Sequence, residues 1–117
     1  MDSNKIKIAA FTIKKTFHEK KMELDKIILF GSSADVIKKE NNDIDLIVIS
    51  RNFRKKSYDK RIFALKNLNR DIVKKTDKPV DILYYSDEEW NEDSSLIIRE
   101  AKKTGKVIYL SRSCGEH

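Results

Sequence analysis

Near the start of the chain, apolar residues recur at three- and four-residue spacing. Ile6, Ala9, Ala10, Ile13 and Phe17 share one stripe of residues 4–22, and that period predicts an amphipathic helix. The pattern changes at Asp25. From there to Gly31 the chain reads DKIILFG, a short apolar run closed by glycine, which marks a buried strand ending in a tight turn. After the polar stretch SSADVIKKENN, residues 43–50 read DIDLIVIS. Past Asp45 this segment is β-branched and apolar on both faces, as a central strand should be.

A basic connection, RNFRKKSYDKR, covers residues 51–61. From Tyr58 onward Ile62, Leu65, Leu68, Ile72 and Val73 mark a second helical face. Pro79 interrupts it, and Val80 to Tyr85, VDILYY, reads as a third strand. Ser94 is placed to cap a last helix, SLIIREAKK, which stops at Gly105. Lys106 to Leu110 predicts a short edge strand. The expected order is helix, strand, strand, helix, strand, helix, strand. That order describes one α/β (α+β) domain over residues 1–110 with a mixed sheet, followed by a polar tail over 111–117. Phe11, Phe17 and Tyr58 are expected to fill core stripes rather than to stack on bases, and Trp90 to pack under a helix rather than to form a contact surface.

The chain has 117 residues, 39% hydrophobic and 38% charged, which suits one compact domain. Its one cysteine, Cys114, excludes an internal disulfide framework. No apolar run approaches the ~20 residues of a membrane span, and the start lacks a signal peptide's apolar stretch. A cytoplasmic protein with no membrane partner is the expectation. The excess of 25 Lys+Arg over 19 Asp+Glu gives +6, enough for an anionic partner but with too many acids for a nucleic-acid coat protein.

The chemistry is concentrated in three acids. Asp43 and Asp45 are two residues apart on one strand, so their side chains share a face about 7 Å apart at the backbone. Asp81 stands near the start of the next strand. If those strands are neighbours, three carboxylates converge, and carboxylate oxygens suit Mg²⁺. Gly31 lets the backbone approach a ligand, and the amides after it, with the Ser32 and Ser33 hydroxyls, suit phosphate oxygens.

Gly31-Ser32, ten residues, then Asp43-Ile-Asp45 is a G-S-x10-D-x-D pattern, inside LFGSSADVIKKENNDIDLIVIS. With VDILYYS and the closing IIREAKKTGKVIY, it resembles the nucleotidyltransferase superfamily that includes DNA polymerase beta. The likeness is greatest to its minimal, MNT-type domains, and it runs from about Lys26 to Tyr109. The resemblance implies a nucleotidyltransferase fold, a small mixed β-sheet flanked by helices. It implies that Gly31, Ser32 and Ser33 bind a nucleoside triphosphate, with ATP as substrate. It further implies that Asp43, Asp45 and Asp81 are catalytic and hold two Mg²⁺ ions, Asp81 also helping to deprotonate an acceptor hydroxyl.

MNT-type domains act as antitoxins paired with HEPN-type toxins, so the resemblance implies a hetero-oligomer in which AMP passes to a toxin tyrosine. With 117 residues the chain has little room for an acceptor-holding domain, and a partner is expected to present the acceptor. Where relatives carry basic residues and a second glycine after Gly-Ser, this chain reads Ser33, Ala34, Asp35 and Val36. Lys38, Lys39, Arg51, Arg54 and Lys55 are the nearest replacement cations along the chain. Those departures keep open a non-catalytic antitoxin that neutralises its partner by complex formation. Nucleic-acid binding, suggested by +6 and the basic connection, is the least favoured of the three readings.

Overall fold

A computed structural model describes residues 3–30 and 44–111. Gly31, Ser32, Ser33, Asp43, Lys38, Lys39 and Cys114 lie outside the described residues, as does nearly all of the tail. The described elements run α1 (Ser3–Glu19), β1 (Lys26–Leu29), β2 (Ile44–Ile49), a 3-10 turn (Arg51–Phe53), α2 (Tyr58–Ala64), α3 (Leu68–Thr76), β3 (Val80–Tyr85), α4 (Asp87–Asn91), α5 (Leu96–Thr104) and β4 (Lys106–Leu110). The strands form one mixed sheet in the order β3-β2-β1-β4. β1 is antiparallel to both neighbours, and β2 and β3 are parallel, joined through α2 and α3. This is the nucleotidyltransferase-type mixed sheet that the resemblance implied.

Alternation along the strands sorts the core into two layers. Ile27, Leu29, Ile44, Leu46 and Val48 face α1 and α3, where they meet Ala9, Ile13, Phe17, Leu68 and Ile72. Ile28, Ile47 and Ile49 face the other way, against Trp90 of α4 and Ile98 and Ala101 of α5. β2 is buried on both faces. That is why it reads as a continuous apolar run, and each such side chain stabilises the fold by about 1.5–3 kcal/mol. Phe53 links the turn after β2 to this core through edge-on contacts with Phe17 and Tyr84, at 6.2 and 5.5 Å.

The predicted helix after Tyr58 is two helices. α2 ends at Ala64, and α3 starts after Asn67. Tyr58 and Arg61 reach the finish of β3 while Leu68 and Ile72 enter the core, and the break reconciles the two demands. As a consequence Ile62 is exposed, contrary to the stripe drawn from the sequence, and Arg61 is buried. Phe11 also points outward. Phe17 and Trp90 are buried as expected, and Tyr58 is half-buried. A short α4, absent from the expected order, is closed by a capping box in which Ser86 Oγ accepts from Glu89 N–H and the Glu89 carboxylate accepts from Ser86 N–H.

Ser95, not Ser94, caps α5. Gly105 follows that helix because of close approach. A Cβ there would stand 2.7 Å from the Ala101 carbonyl, 2.9 Å from Ile28 Cγ2 and 3.0 Å from the Leu29 carbonyl.

Candidate functional site

The strand starts of β2 and β3 bring together two of the three predicted acids. In the parallel β2–β3 register Asp45 pairs with Asp81. Neighbouring strands lie about 4.8 Å apart, and register partners share a face. Asp45 stands on the face of Ile47 and Ile49, and Asp81 on that of Leu83 and Tyr85. The helical cover of that face comes from Trp90, Ile98 and Ala101, packed on the apolar rows, so the two acids form the row beyond it. Asp45 is half-buried and Asp81 exposed.

Backbone bonds hold Asp45 in place from both sides. Phe30 N–H donates to the Asp45 carbonyl at 3.1 Å, and Ile44 N–H donates to the Pro79 carbonyl at 2.9 Å. The first bond ties the end of β1, just before Gly31, to the strand that carries the acid. Phe30 therefore belongs to the architecture of the site as well as packing against the Ile28–Trp90 layer, and its place directly before the glycine is the signal for it.

Two carboxylates side by side on adjacent strands present a set of oxygen donors on one face. Hard oxygen donors of this kind fit Mg²⁺, which commonly takes one or two carboxylates and fills its shell with water and phosphate oxygens. Among the described residues no group of three or more His, Cys, Asp or Glu is placed to hold a metal ion. Asp43, the third predicted donor, lies outside them.

Of the cations proposed from sequence proximity, Arg51, Arg54 and Lys55 are not at this site. β2 starts beside the acids and carries the chain away, and six residues at about 3.3 Å each put Arg51 some ~20 Å from Asp45. Both arginines are held there by acids. Arg51 Nη2 donates to Asp25 Oδ1 at 3.0 Å and its N–H to Oδ2 at 2.9 Å. Arg54 forks onto Asp87, with Glu88 Oε2 at 3.8 Å. That hydrogen bond holds the Asp87 carboxyl below the usual carboxylate range, against the opposing effect of burial. The same bond raises the Arg54 guanidinium above its ordinary value.

Arg61 completes this far-end network, and nothing in the basic run singled it out. Its Nη1 donates to the Tyr84 carbonyl at 2.9 Å and to Glu89 Oε1 at 2.8 Å, and its Nε to the Lys56 carbonyl at 3.1 Å. Burial pushes the Glu89 carboxyl up, but the bonds from Arg61 and the Ser86 amide outweigh it and leave the group lowered. Burial also pushes the Tyr84 phenol up. A spacing signal existed, since Arg61, Leu65, Leu68 and Ile72 follow i, i+4, i+7, i+11 better than Ile62 does.

Comparison with known proteins gives a consistent picture. The family model described as Polymerase beta, Nucleotidyltransferase matches residues 12–113. No curated protein matches the chain. Among solved structures, a protein of Sulfolobus solfataricus proposed to be a nucleotidyltransferase superposes with a TM-score of 0.66 at 16% identity, over 94% of this chain and 83% of that one. A toxin–antitoxin structure with AMP-PNP gives 0.62 at 20% identity, over 97% and 77%. A Shewanella oneidensis structure, a tri-AMPylated HEPN toxin in complex with MNT antitoxin, gives 0.55 at 18% identity, over 92% and 74%. At these identities the likeness to solved structures is one of fold.

Proposed function

The chain belongs to the polymerase beta nucleotidyltransferase family, and from that premise we propose that it transfers AMP from ATP to a hydroxyl of a HEPN-type toxin, acting as an antitoxin. The observation that carries the reading is the register of Asp45 on Asp81. It is the arrangement that charge-neutralised phosphoryl transfer needs, because such reactions depend on positioning and on compensating oxygen charge. The fold shared with a toxin–antitoxin structure holding AMP-PNP and with one holding a tri-AMPylated toxin supports the choice of donor and acceptor.

In this reading Asp43, Asp45 and Asp81 hold Mg²⁺, which when bound draws charge from the phosphate oxygens. Gly31, Ser32 and Ser33 hold the triphosphate. Asp81, the exposed member of the row, takes the proton of the acceptor hydroxyl. The acceptor oxygen forms a bond to the α-phosphorus, the bond to the β-phosphate oxygen breaks, and pyrophosphate leaves.

One observation favours a second reading, neutralisation by complex formation alone. Arg51 and Arg54 are engaged with acids at the far end of the sheet, so they do not replace the basic residues missing after Ser32. Incubating the purified chain with a HEPN-type toxin, ATP and Mg²⁺ separates the two. An AMP-sized mass gain on a toxin tyrosine, lost in Asp43→Asn with Asp45→Asn, is the expected result. Toxin that stays unmodified yet silenced by both wild type and the double variant would leave only the complex.

A further inference from the structure

The two edges of the sheet are finished differently. Three side-chain bonds close the outer edge of β3: Asn69 Nδ2 donates to the Val80 carbonyl at 2.6 Å, Tyr84 N–H donates to Tyr58 Oη at 3.0 Å, and Arg61 Nη1 donates to the Tyr84 carbonyl. On β4 no side chain among the described residues bonds to the backbone of Lys106–Leu110. Among the described residues nothing of the kind closes the β4 edge, and an edge without such closure is a template for another strand.

The side chains of β4 carry the same message. Val107 pairs with Ile28 and Leu110 with Lys26, so both stand on the α5 face, yet they are 54% and 47% exposed. Ile97 of α5, on the same face of the sheet, is 43% exposed. The register shift beside Ile27 and Ile28 leaves Ile108 and Tyr109 both packed toward the α1 layer. Lys106 and Val107 before it, and Tyr109 and Leu110 after it, stay paired with β1.

Charge selects the occupant. Lys106 begins the strand, Lys26 lies beside Leu110, and Lys14 stands over the Tyr109 ring at 5.3 Å. β4 itself has no acid, and Glu100 is the only one on α5. A second copy would bring the same lysines and a second net charge of +6. A five-residue edge with two exposed apolar side chains, Val107 and Leu110, is also a small surface on which to build the roughly 800 Å² per partner that a stable dimer buries.

We propose that β4 is a docking edge that takes an added strand of alternating acidic and apolar residues from a partner protein. Main-chain bonds supply the affinity, and the Val107–Leu110 face and the flanking lysines supply the selectivity. This surface is separate from the Asp45–Asp81 row, so its test does not depend on nucleotidyl transfer.

The test titrates the full chain into a short fluorescein-labelled peptide of alternating glutamate and valine. Expected are saturable binding that weakens with salt, no binding of the lysine–valine counterpart, and slower amide exchange at residues 106–110 when the peptide is bound. Val107→Glu, at an exposed position that leaves the fold intact, should weaken binding about tenfold by placing like charge at the interface. Phe63→Ser, which removes an exposed aromatic elsewhere, should leave it unchanged. Absence of binding, or binding that ignores Val107→Glu, overturns the proposal. So does self-association in sedimentation velocity that Val107→Glu abolishes, since the occupant would then be a second copy.

Discussion

The two ends of the sheet treat charge in opposite ways. Where β2 and β3 start, Asp45 and Asp81 stand side by side, like charge against like. Where the same strands finish, each arginine meets an acid: Arg51 with Asp25, Arg54 with Asp87, Arg61 with Glu89. The finishing end holds the fold together, tying the turn after β2 and α2 to β1, β3 and α4. The starting end sets two of the three predicted acids on one face, beside the end of β1 that leads to Gly31, which is why it is the candidate for chemistry. Proximity along the chain says little about which group serves which end, because a single strand separates them.

Substitutions should divide along that line, and the largest effects belong to the acid row. Asp45→Asn should lower the transfer rate at least ~100-fold, the scale of removing one preorganised charge from a transition state. Its urea midpoint should shift less than that of Arg61→Met, because Asp45 is half-buried while Arg61 is buried. At the other end Arg61→Met should cost about 2–3 kcal/mol in urea unfolding, since the Tyr84 carbonyl loses this donor and Glu89 its cation. Below its new midpoint the variant should keep its transfer rate. An Arg61→Met protein that lost its transfer rate while still fully folded would erase the division between the ends.

Gly105→Ala sharpens the comparison from the side, because Gly105 touches the end of β1 that leads into the site. The clash with two backbone carbonyls and Ile28 should cost about 1–3 kcal/mol by thermal unfolding. The smallest effect concerns pH. Asp87 and Glu89 have folded values below their ordinary ones, so their contribution is present above about pH 4.5 and is lost as pH falls through the folded values. Urea midpoints measured from neutral to acid pH should decline, and Arg54→Ala should make that decline shallower.

Much of the strand framework was legible. β3 and β4 occupy the residues expected, because β-branched and aromatic runs bounded by proline, serine and glycine carry clear local signals. The division of α2 from α3 was not legible, since no glycine or proline falls between Tyr58 and Asp77. The break arises from packing against β3 and the α1 layer. In the site, strand alternation predicted which face Asp45 takes, but the pairing of Asp45 with Asp81 is a matter of register between segments more than thirty residues apart. The misassigned arginines show the same limit, for a strand moves its two ends apart faster than spacing in sequence suggests.

The proposed transfer depends on Asp45 and Asp81 acting as one unit. A double-mutant cycle on the AMP transfer rate, using Asp45→Asn, Asp81→Asn and the pair, measures that directly. The predicted result is that the double variant is no slower than the worse single one. Losses that multiply, or an Asp81→Asn variant as fast as wild type, would contradict it.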